Sequence, residues 1–223
     1  MSDLNHALMQ LGLPFIIKTR RQGYDGKGQV IIRSAEDFQL IENSMLQQGT
    51  IAEAWVNYVR EFSIIAVRAT NGEVLFYDLC ENTHQSGILS QTINKIHDAA
   101  LTKVTPYVEK LLNDFDYCGV LTVEFFEKAG DEYLVNEIAP RVHNSGHWTI
   151  EGAITSQFQN HLRAITGQPL GDTASNYNVV MKNIIGKLPS SHDILQNPKS
   201  HMHIYGKQEK PGRKLGHITQ IIK

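Results

Sequence analysis

Two β-prone segments that follow one another closely constrain this chain more than any other feature of its sequence. Residues 119–127 and 132–138 are rich in apolar and aromatic residues, and the turn Ala129-Gly130-Asp131 lies between them. Strands joined by so short a turn pair antiparallel, which brings Glu124 and Glu137 within reach of one ion. Carboxylate oxygens are the ligands that Mg2+ prefers. The hairpin therefore predicts an antiparallel sheet with a metal site at Glu124 and Glu137.

A polar loop follows the second of these segments. Residues 139–148 read APRVHNSGHW, which is unusually rich in side chains that can bind a ligand. Burial gains little from such a loop, so ligand binding explains it more simply than packing does. The alternative is a solvated strand end with a polar turn. The candidate binding residues in the loop or just before it are Asn136, Arg141, His143, Asn144 and His147.

A glycine-rich loop near the N-terminus lies between β-prone residues 15–19 and 29–33. Glycines let a loop bring its N–H groups close to phosphate oxygens, and Lys27 adds a positive charge. The loop is not a P-loop, because that motif requires Ser or Thr after its Lys, and GxGxxG is also absent. An ordinary hairpin loop is the alternative. The predicted phosphate-binding residues are Gly23, Tyr24, Asp25, Gly26, Lys27, Gly28 and Gln29.

Lys18 lies in an otherwise apolar strand just before this loop, where a buried ammonium requires an anionic partner. A nucleotide phosphate would supply that partner, whereas a lysine on an edge strand would instead reach solvent. Further along, residues 53–56 could contact an adenine ring, and Glu61 could accept hydrogen bonds from ribose hydroxyls. Each of these is also compatible with plain strand structure. The adenine candidates are Glu53, Ala54, Trp55 and Val56.

Composition narrows the class of protein. A formal net charge of −2 disfavours a general electrostatic grip on nucleic acid. The two cysteines, Cys80 and Cys118, form no metal-ligand spacing, which favours a reduced cytoplasmic setting. No apolar run approaches the ~18 residues that span a bilayer, and the first ten residues lack a signal-peptide pattern. We expect a cytoplasmic protein without nucleic-acid or membrane partners.

The remaining pattern favours an α+β fold. Ser34 with Asp37 resembles a helix N-cap, and the apolar spacing that follows predicts a helix through Met45. A second helix is predicted at residues 99–113, and Asn71-Gly72 predicts a hairpin turn. Strands followed by helices, with hairpin connections, are typical of the α+β class.

Two other kinds of site are disfavoured. His201 and His203 would face the same side of a strand, but neither a carboxylate nor a third ligand accompanies them in sequence. A serine hydrolase is disfavoured because GxSxG is absent around Ser145.

Taken in order, the candidate residues resemble the nucleotide and metal positions of the ATP-grasp superfamily. Within it, three motifs resemble the 5-(carboxyamino)imidazole ribonucleotide synthase family of purine biosynthesis. These are NTHQSGIL at 82–89, APRVHNSGHW at 139–148 and PGRKLGH at 211–217. The similarity extends from about Leu13 to the end of the chain.

The resemblance implies an ATP-grasp fold of antiparallel sheets with flanking helices and a small β-rich C-terminal piece. It implies three parts: a small subdomain with the glycine-rich lid at residues 1–57, a large subdomain with the metal site at 58–170, and a segment with a phosphate-binding turn at 171–223. It also implies ATP-dependent carboxylation of 5-aminoimidazole ribonucleotide by bicarbonate, through carboxyphosphate. The implied cofactors are ATP and Mg2+, with Mn2+ as an alternative metal.

By the same resemblance, each candidate residue has a role. Glu124 and Glu137 hold the metal, and Arg141, His143, Asn144 and His147 hold bicarbonate or the intermediate. Arg213 and Lys214 bind the monophosphate of the ribonucleotide. The nucleotide contacts are Lys18, residues 23–29, residues 53–56, Glu61, His84, Asn136 and Glu137.

The chain departs from the family pattern at both ends. Family members begin with a separate dinucleotide-fold-like domain and close with a helical segment, and we expect both to be missing, with reduced activity as the result. Exposed apolar surface at the docking face would then favour aggregation or a homodimer. Two alternatives stay open: a non-catalytic ATP-binding fragment, and another ATP-grasp ligase such as formate-dependent glycinamide ribonucleotide transformylase. The motifs at 143–148 and 211–217 fit the carboxylating family better.

Overall fold

The computed structural model describes residues 2–20, 27–41, 43–47, 49–175 and 177–222. It divides into two compact units, one of Met1–Asn57 with Ser86–Ile88 and one of Tyr58–Gln85 with Leu89–Lys223. The three functional parts expected from the sequence stay a prediction. Residues 23–26 of the glycine-rich loop lie outside the described residues.

The first unit is a three-stranded antiparallel sheet in the order β2-β1-β3. Because side chains alternate along β1, Phe15 and Ile17 are buried, whereas Lys18 lies on the other face. Partly buried residues of the flanking helix α1 complete this small core. The elements are α1 (Ser2–Leu11), β1 (Phe15–Thr19), β2 (Gln29–Ile32), a 3-10 turn (Ala35–Leu40), α2 (Asn43–Gln47) and β3 (Thr50–Ala54).

The continuous helix predicted from Ser34 through Met45 is wrong. The chain instead forms the 3-10 turn and then the separate α2. Asp37 accepts the backbone N–H groups of Arg33 and Ser34, as the cap pattern suggests, but Ile41 is extended with φ −76° and ψ 111°. Ile41 and Met45 both bury in the core, so tertiary packing overrides the helical spacing.

The second unit is built on a sheet that has nine strands in the described part of the chain. Antiparallel pairing joins β4 to β5, β6 and β8, β8 to β9, β10 to β7 and β12, and β11 to β12. The strand order is β11-β12-β10-β7-β6-β4-β8-β9, with β5 added to β4. The strands are β4 (Arg60–Arg68), β5 (Val74–Phe76), β6 (Leu79–Gln85), β7 (Ile88–Lys95), β8 (Gly119–Lys128), β9 (Glu132–Ala139), β10 (Val179–Ile185), β11 (Ser200–Ile204) and β12 (Lys214–Ile221). The helices are α3 (Ala99–Asp114), α4 (Thr149–Gly152), α5 (Gln157–Ile165) and α6 (Ser191–Leu195), with a 3-10 turn at Asn144–Gly146.

Alternation along β4 and β8 separates two faces of this sheet. On one face, Phe62 and Val123 belong to a core cluster with Val104 and Val108 of α3. On the other, Ile65 and Val120 belong to a cluster with Trp148 and with Ala164 of α5. The period of two places Glu61, Ser63 and Glu124 on this second face.

Several predicted elements of this unit are confirmed. The helix at 99–113 is α3, which contains Pro106 and begins where Asp98 accepts the N–H of Ala100 at 2.9 Å. Asn71-Gly72 connects β4 to β5, with Gly72 at φ +89°. The sequence prediction missed β6 and β7. No helix among the described residues is long and apolar enough to cross a membrane.

Candidate active site

The acidic pair lies on the hairpin that the sequence predicts. Glu124 of β8 is directly opposite Glu137 of β9 in the antiparallel ladder. The register then shifts, because Phe125 pairs with Val135, so Asn136 is an extra residue in a β-bulge. A bulge bends a strand and re-aims its side chains, and bulges are frequent beside active sites. Asn136 and Glu137 therefore both stand opposite Glu124.

Glu124 is poorly solvated and lies beside the exposed Glu137, so the two acids repel each other. The side chain of Glu124 is only 13% exposed. Burial, followed by the charge of Glu137, raises the pKa of Glu124 to about 7, although His84 and Lys214 act in the opposite direction. The described residues contain no group of three or more His, Cys, Asp or Glu side chains arranged for a metal ion.

Glu61 and His84 lie on the same face, at neighbouring positions of β4 and β6. Glu61 pairs in register with Asn82, two residues before His84. The His84 Nδ1 lies 2.7 Å from the Glu61 Oε2. Burial opposes protonation, but the hydrogen bond and charge of Glu61 outweigh it and raise the pKa of His84. Both residues line an open cleft of about 330 Å³.

The polar loop after β9 is fixed in place by buried groups. Trp148 is fully buried and its indole N–H donates to the Cys80 Sγ at 3.1 Å. A side chain at Gly146 would collide with the Ile65 Cδ1 and the Gln157 side chain, so glycine lets the loop approach the sheet closely. The side chain of Gln157 holds both backbone groups of His143, accepting its N–H at 3.0 Å and donating to its carbonyl at 2.6 Å.

His143 faces the acidic pair. Its Nε2 lies 3.6 Å from the Glu124 Oε1, and its Nδ1 lies 2.9 Å from the Ser145 Oγ. Burial lowers the pKa of His143 to about 3, with a further contribution from the charges of Arg141 and Lys214. The imidazole is therefore neutral near pH 7.

Arg141 and Asn144 have different surroundings in this loop. Arg141 is exposed, and its guanidinium donates to the Val142 carbonyl at 3.1 Å. The amide of Asn144 exchanges two hydrogen bonds with Asn183 of β10, at 3.0 and 2.6 Å. Asn144 thereby ties the loop to β10, with one N–H and one lone pair left for other contacts.

Lys214 and Arg213 are neighbours at the start of β12 but have different surroundings. Lys214 is half-buried, and its charge acts on Glu124, His84, His143 and His147. Arg213 is exposed in the preceding turn, where it donates to the Gln208 carbonyl at 3.3 Å. Only Lys214 of this pair is brought to the histidines and acids.

His147 belongs to a second group of histidines. Its ring centroid lies 5.1 Å from that of His217, which in turn stacks on His203 at 4.5 Å. Burial, followed by the charge of Lys214, lowers the pKa of His147 to about 4. The sequence offered His203 no carboxylate, yet its Nε2 lies 2.6 Å from the Glu151 Oε1, while His201 is exposed.

The nucleotide candidates of the first unit lie on its sheet. β1 is the central strand, so Lys18 is not an edge-strand lysine. Its Nζ lies 2.5 Å from the Glu53 Oε2, which supplies the anionic partner inside the protein. Gly28 has φ +75°, and a side chain there would meet the Thr19 Oγ1 at 2.5 Å.

The other nucleotide candidates of this unit are exposed or half-buried. Lys27 and Gln29 are exposed. Ala54 ends β3, and Trp55, which is 38% exposed, donates to the Asn57 side chain at 3.1 Å. Val56, which follows, is half-buried.

Sequence reasoning missed several buried polar residues around the site. Ser63 interrupts an apolar run of β4, which is the one local signal of a special position. Ser145 and Gln157 are fully buried and connect the loop to the sheet and to α5. Glu151, His217 and Tyr205 gave no such signal, because their contacts join segments far apart in sequence.

Comparison with known proteins decides the family. The family model for the ATP-grasp domain matches residues 1–158, and that for the phosphoribosylaminoimidazole carboxylase C-terminal domain matches residues 179–223. The chain belongs to the ATP-grasp family. The fold predicted from the sequence is thereby confirmed.

Individual relatives carry the name of the family that the three motifs resemble. The N5-carboxyaminoimidazole ribonucleotide synthase of Pseudomonas aeruginosa is 47% identical over 218 residues, covering 98% of this chain and 60% of the relative. The crystal structure of the synthetase from Thermus thermophilus is 46% identical with a TM-score of 0.89, over 99% of this chain and 60% of that one. The Aspergillus clavatus enzyme in complex with ADP and 5-aminoimidazole ribonucleotide is 33% identical with a TM-score of 0.88, over 99% and 61%. The predicted resemblance to this group of ATP-grasp ligases is confirmed, and the chain spans about 60% of the length of these relatives.

Proposed function

We propose that this chain contributes the nucleotide, metal and bicarbonate sites of an ATP-dependent carbon–nitrogen ligase that carboxylates 5-aminoimidazole ribonucleotide. The observation that carries the proposal is the register of β8 and β9, which sets Glu124 opposite Glu137 at a bulge in an ATP-grasp fold. Relatives named as N5-carboxyaminoimidazole ribonucleotide synthases support the choice of reaction.

The carboxylates fit a divalent metal. Burial of Glu124 beside Glu137, which raises the pKa of Glu124, is an arrangement that a cation would relieve. Mg2+ commonly takes one or two carboxylates, keeps several waters and binds substrate phosphates, so two acids with Asn136 are a sufficient protein contribution. Mn2+ is accepted by the same oxygen donors. When bound, the metal supplies charge stabilisation for the phosphates of ATP.

The protein's own groups supply the remaining positioning. We assign the ATP phosphates to Lys18 and the glycine-rich loop, and the ribose to Glu61, whose carboxylate is already held by His84. We assign the adenine ring to residues 53–56. Phosphoryl transfer depends mostly on such positioning and on charge stabilisation.

We assign the binding of bicarbonate and carboxyphosphate to the polar loop. A bicarbonate oxygen attacks the γ-phosphorus of ATP, and the bond to the ADP oxygen breaks, which gives carboxyphosphate and ADP. The amine of the ribonucleotide then attacks the carbonyl carbon and expels phosphate. Arg141, His143 and His147 orient the anion, Asn144 fixes the loop, and Lys214 with Arg213 receives the ribonucleotide phosphate. Carboxyphosphate hydrolyses readily, so this loop must also restrict water.

Phosphate release from ATP tests the proposal. With bicarbonate and 5-aminoimidazole ribonucleotide each omitted in turn, we expect release to require bicarbonate and the carboxylated product to require both. Glu137→Gln should abolish this release, and Glu132→Gln, which changes an exposed glutamate of β9 that pairs with Lys128, is its matched control. Release that needs formate and glycinamide ribonucleotide instead would support the other ligase, and ATP binding without any turnover would support the non-catalytic binder.

Location and assembly are further proposals. We propose a cytoplasmic protein, supported by two free thiols, Cys80 and Cys118. A homodimer stays a prediction that light scattering of the purified chain can check.

A further inference from the structure

Four buried polar side chains form a row behind His143. The Thr92 Oγ1 of β7 lies 2.9 Å from the Asn82 Oδ1 of β6, and the Asn82 Nδ2 lies 3.1 Å from the Ser63 Oγ of β4. The Ser63 Oγ lies 2.6 Å from the Ser145 Oγ. None of the four is more than 7% exposed. Burying so many polar groups is costly unless each is hydrogen-bonded, and here each is.

The row has a direction, because some of its atoms can act in only one way. An amide nitrogen only donates, so the Ser63 hydroxyl accepts from Asn82, which leaves its own proton available for Ser145. The amide oxygen of Asn82 only accepts, which makes Thr92 the donor at the far end. The hydrogen bonds from Thr92 and from Asn82 therefore both point along the row towards Ser145.

The last link determines which nitrogen of His143 carries the proton. The backbone N–H of Ser145 lies 3.3 Å from the His143 Nδ1, and a backbone N–H only donates. The Nδ1 is therefore an acceptor, so the Ser145 hydroxyl at 2.9 Å donates its one proton to it, and the Ser63 hydroxyl must in turn be the donor to Ser145. The Nδ1 thus carries the lone pair, which leaves the proton on the Nε2 that faces Glu124 at 3.6 Å.

We propose that Thr92, Asn82, Ser63 and Ser145 form a one-way hydrogen-bond relay that holds His143 as its Nε2–H tautomer, with that N–H presented to the anion site beside Glu124. The identity of the anion as bicarbonate or carboxyphosphate rests on the proposed function, whereas the tautomer does not. A neutral N–H orients an oxygen lone pair without transferring a proton to it. The four residues are positioning residues, since they act through His143.

Histidine-labelled protein tests the relay without any activity. The chain has ten histidines, so the His143 signals are assigned by their loss in His143→Gln. Nitrogen-15 shifts distinguish the two neutral tautomers, and we expect His143 of the parent chain to be Nε2–H. A parent His143 with its proton on Nδ1 overturns the proposal, whatever the variants do.

Variants then test the direction of the relay. Ser63→Ala removes the donor to Ser145, and we expect His143 to shift to a mixture of tautomers, whereas Ser63→Thr keeps a hydroxyl and restores the Nε2–H form. Thr219→Val is the matched control, because the Thr219 Oγ1 is buried and has no hydrogen-bond partner among the described residues. An unchanged tautomer in both Ser63→Ala and Ser145→Ala overturns the relay.

Kinetics separate the relay from the proposed function. We expect Ser63→Ala to lower kcat for bicarbonate-dependent phosphate release by about tenfold, as is typical when a supporting contact is lost, with the KM for ATP unchanged. If the tautomer shifts as expected but the parent chain shows no bicarbonate-dependent release, the relay stands and the proposed function fails. A variant in which the tautomer shifts and kcat does not change overturns the role of His143 in orienting the anion.

Discussion

The two faces of β4 and β8 carry opposite chemistry within one pair of strands. The face against α3 is a continuous apolar cluster, in which Phe62, Val123 and Phe125 are almost completely buried. The other face mixes apolar residues with Glu61, Ser63 and Glu124. The apolar face stabilises the sheet, whereas the polar face places charge where burial alone would disfavour it. The two-residue period of a strand thus keeps Glu61 and Glu124 off the face that packs against α3.

Phe62→Ala should disrupt packing on the apolar face and give the largest loss of stability. Its side chain is fully buried and stacks on Phe125 with ring centroids 5.3 Å apart. We expect a loss of about 3–5 kcal/mol in the free energy of unfolding, measured in urea. Phe115→Ala, at a position that is 60% exposed, is the control and should cost far less. Equal losses in the two variants would contradict the assignment of the core.

Glu137→Gln should weaken ligand binding on the polar face with little effect on folding. Removing one carboxylate from the pair should weaken Mg2+-dependent nucleotide binding about 100-fold, equivalent to about 2.7 kcal/mol. Calorimetry with and without Mg2+ measures this, with Glu132→Gln as the control on the same strand. Unchanged affinity in Glu137→Gln would show that the metal lies elsewhere.

Acid should destabilise the fold through the histidines of the polar face. Burial, followed by the charges of His147 and His203, lowers the pKa of His217 to about 3, below its value of about 6.5 in an unfolded chain. The unfolded chain binds more protons in this window, so stability is complete above about pH 6.5 and falls as the pH drops towards 3. Each such group contributes about 1.4 kcal/mol per pH unit. His217→Asn should reduce the slope of unfolding free energy against pH, and an unchanged slope would contradict the assignment.

Lys110→Ala should give the smallest effect. The Lys110 Nζ lies 2.6 Å from the Asp114 Oδ2 on the solvent side of α3, with both side chains more than half exposed. We expect a cost of only about 0.3–0.5 kcal/mol, which falls further with added salt. A thermal melt at low and high salt checks this, and a cost near that of Phe62→Ala would be unexpected.

The sequence predicts much of this architecture because its signals are local. The hairpin of β8 and β9, the helix α3 and the turn at Asn71-Gly72 follow from periodicity and turn chemistry. The role of Lys214 depended on a resemblance, since its position in a basic turn does not indicate what it binds.

What the sequence could not predict depends on contacts between distant segments. The pairing of His203 with Glu151 spans 52 residues, and the contact between Ser63 and Ser145 spans 82. Such contacts exist only once β11 and the polar loop have docked on the sheet. The split of the expected helix before Met45 has the same origin, because burial in a small core decided it.

The extra residue in β9 has a consequence for how such hairpins are compared. Counting pairs back from Lys128 and Glu132 without a bulge would set Glu137 opposite Val123, whose side chain packs against α3. One inserted residue therefore decides whether this acid joins its partner or is aimed at the hydrophobic interior. A deletion of one residue between positions 133 and 137 would leave the strand recognisable in a sequence alignment. Only one side chain, instead of two, would then stand opposite Glu124. The number of residues in this short segment therefore matters to the pairing of the two acids as much as the identity of those residues.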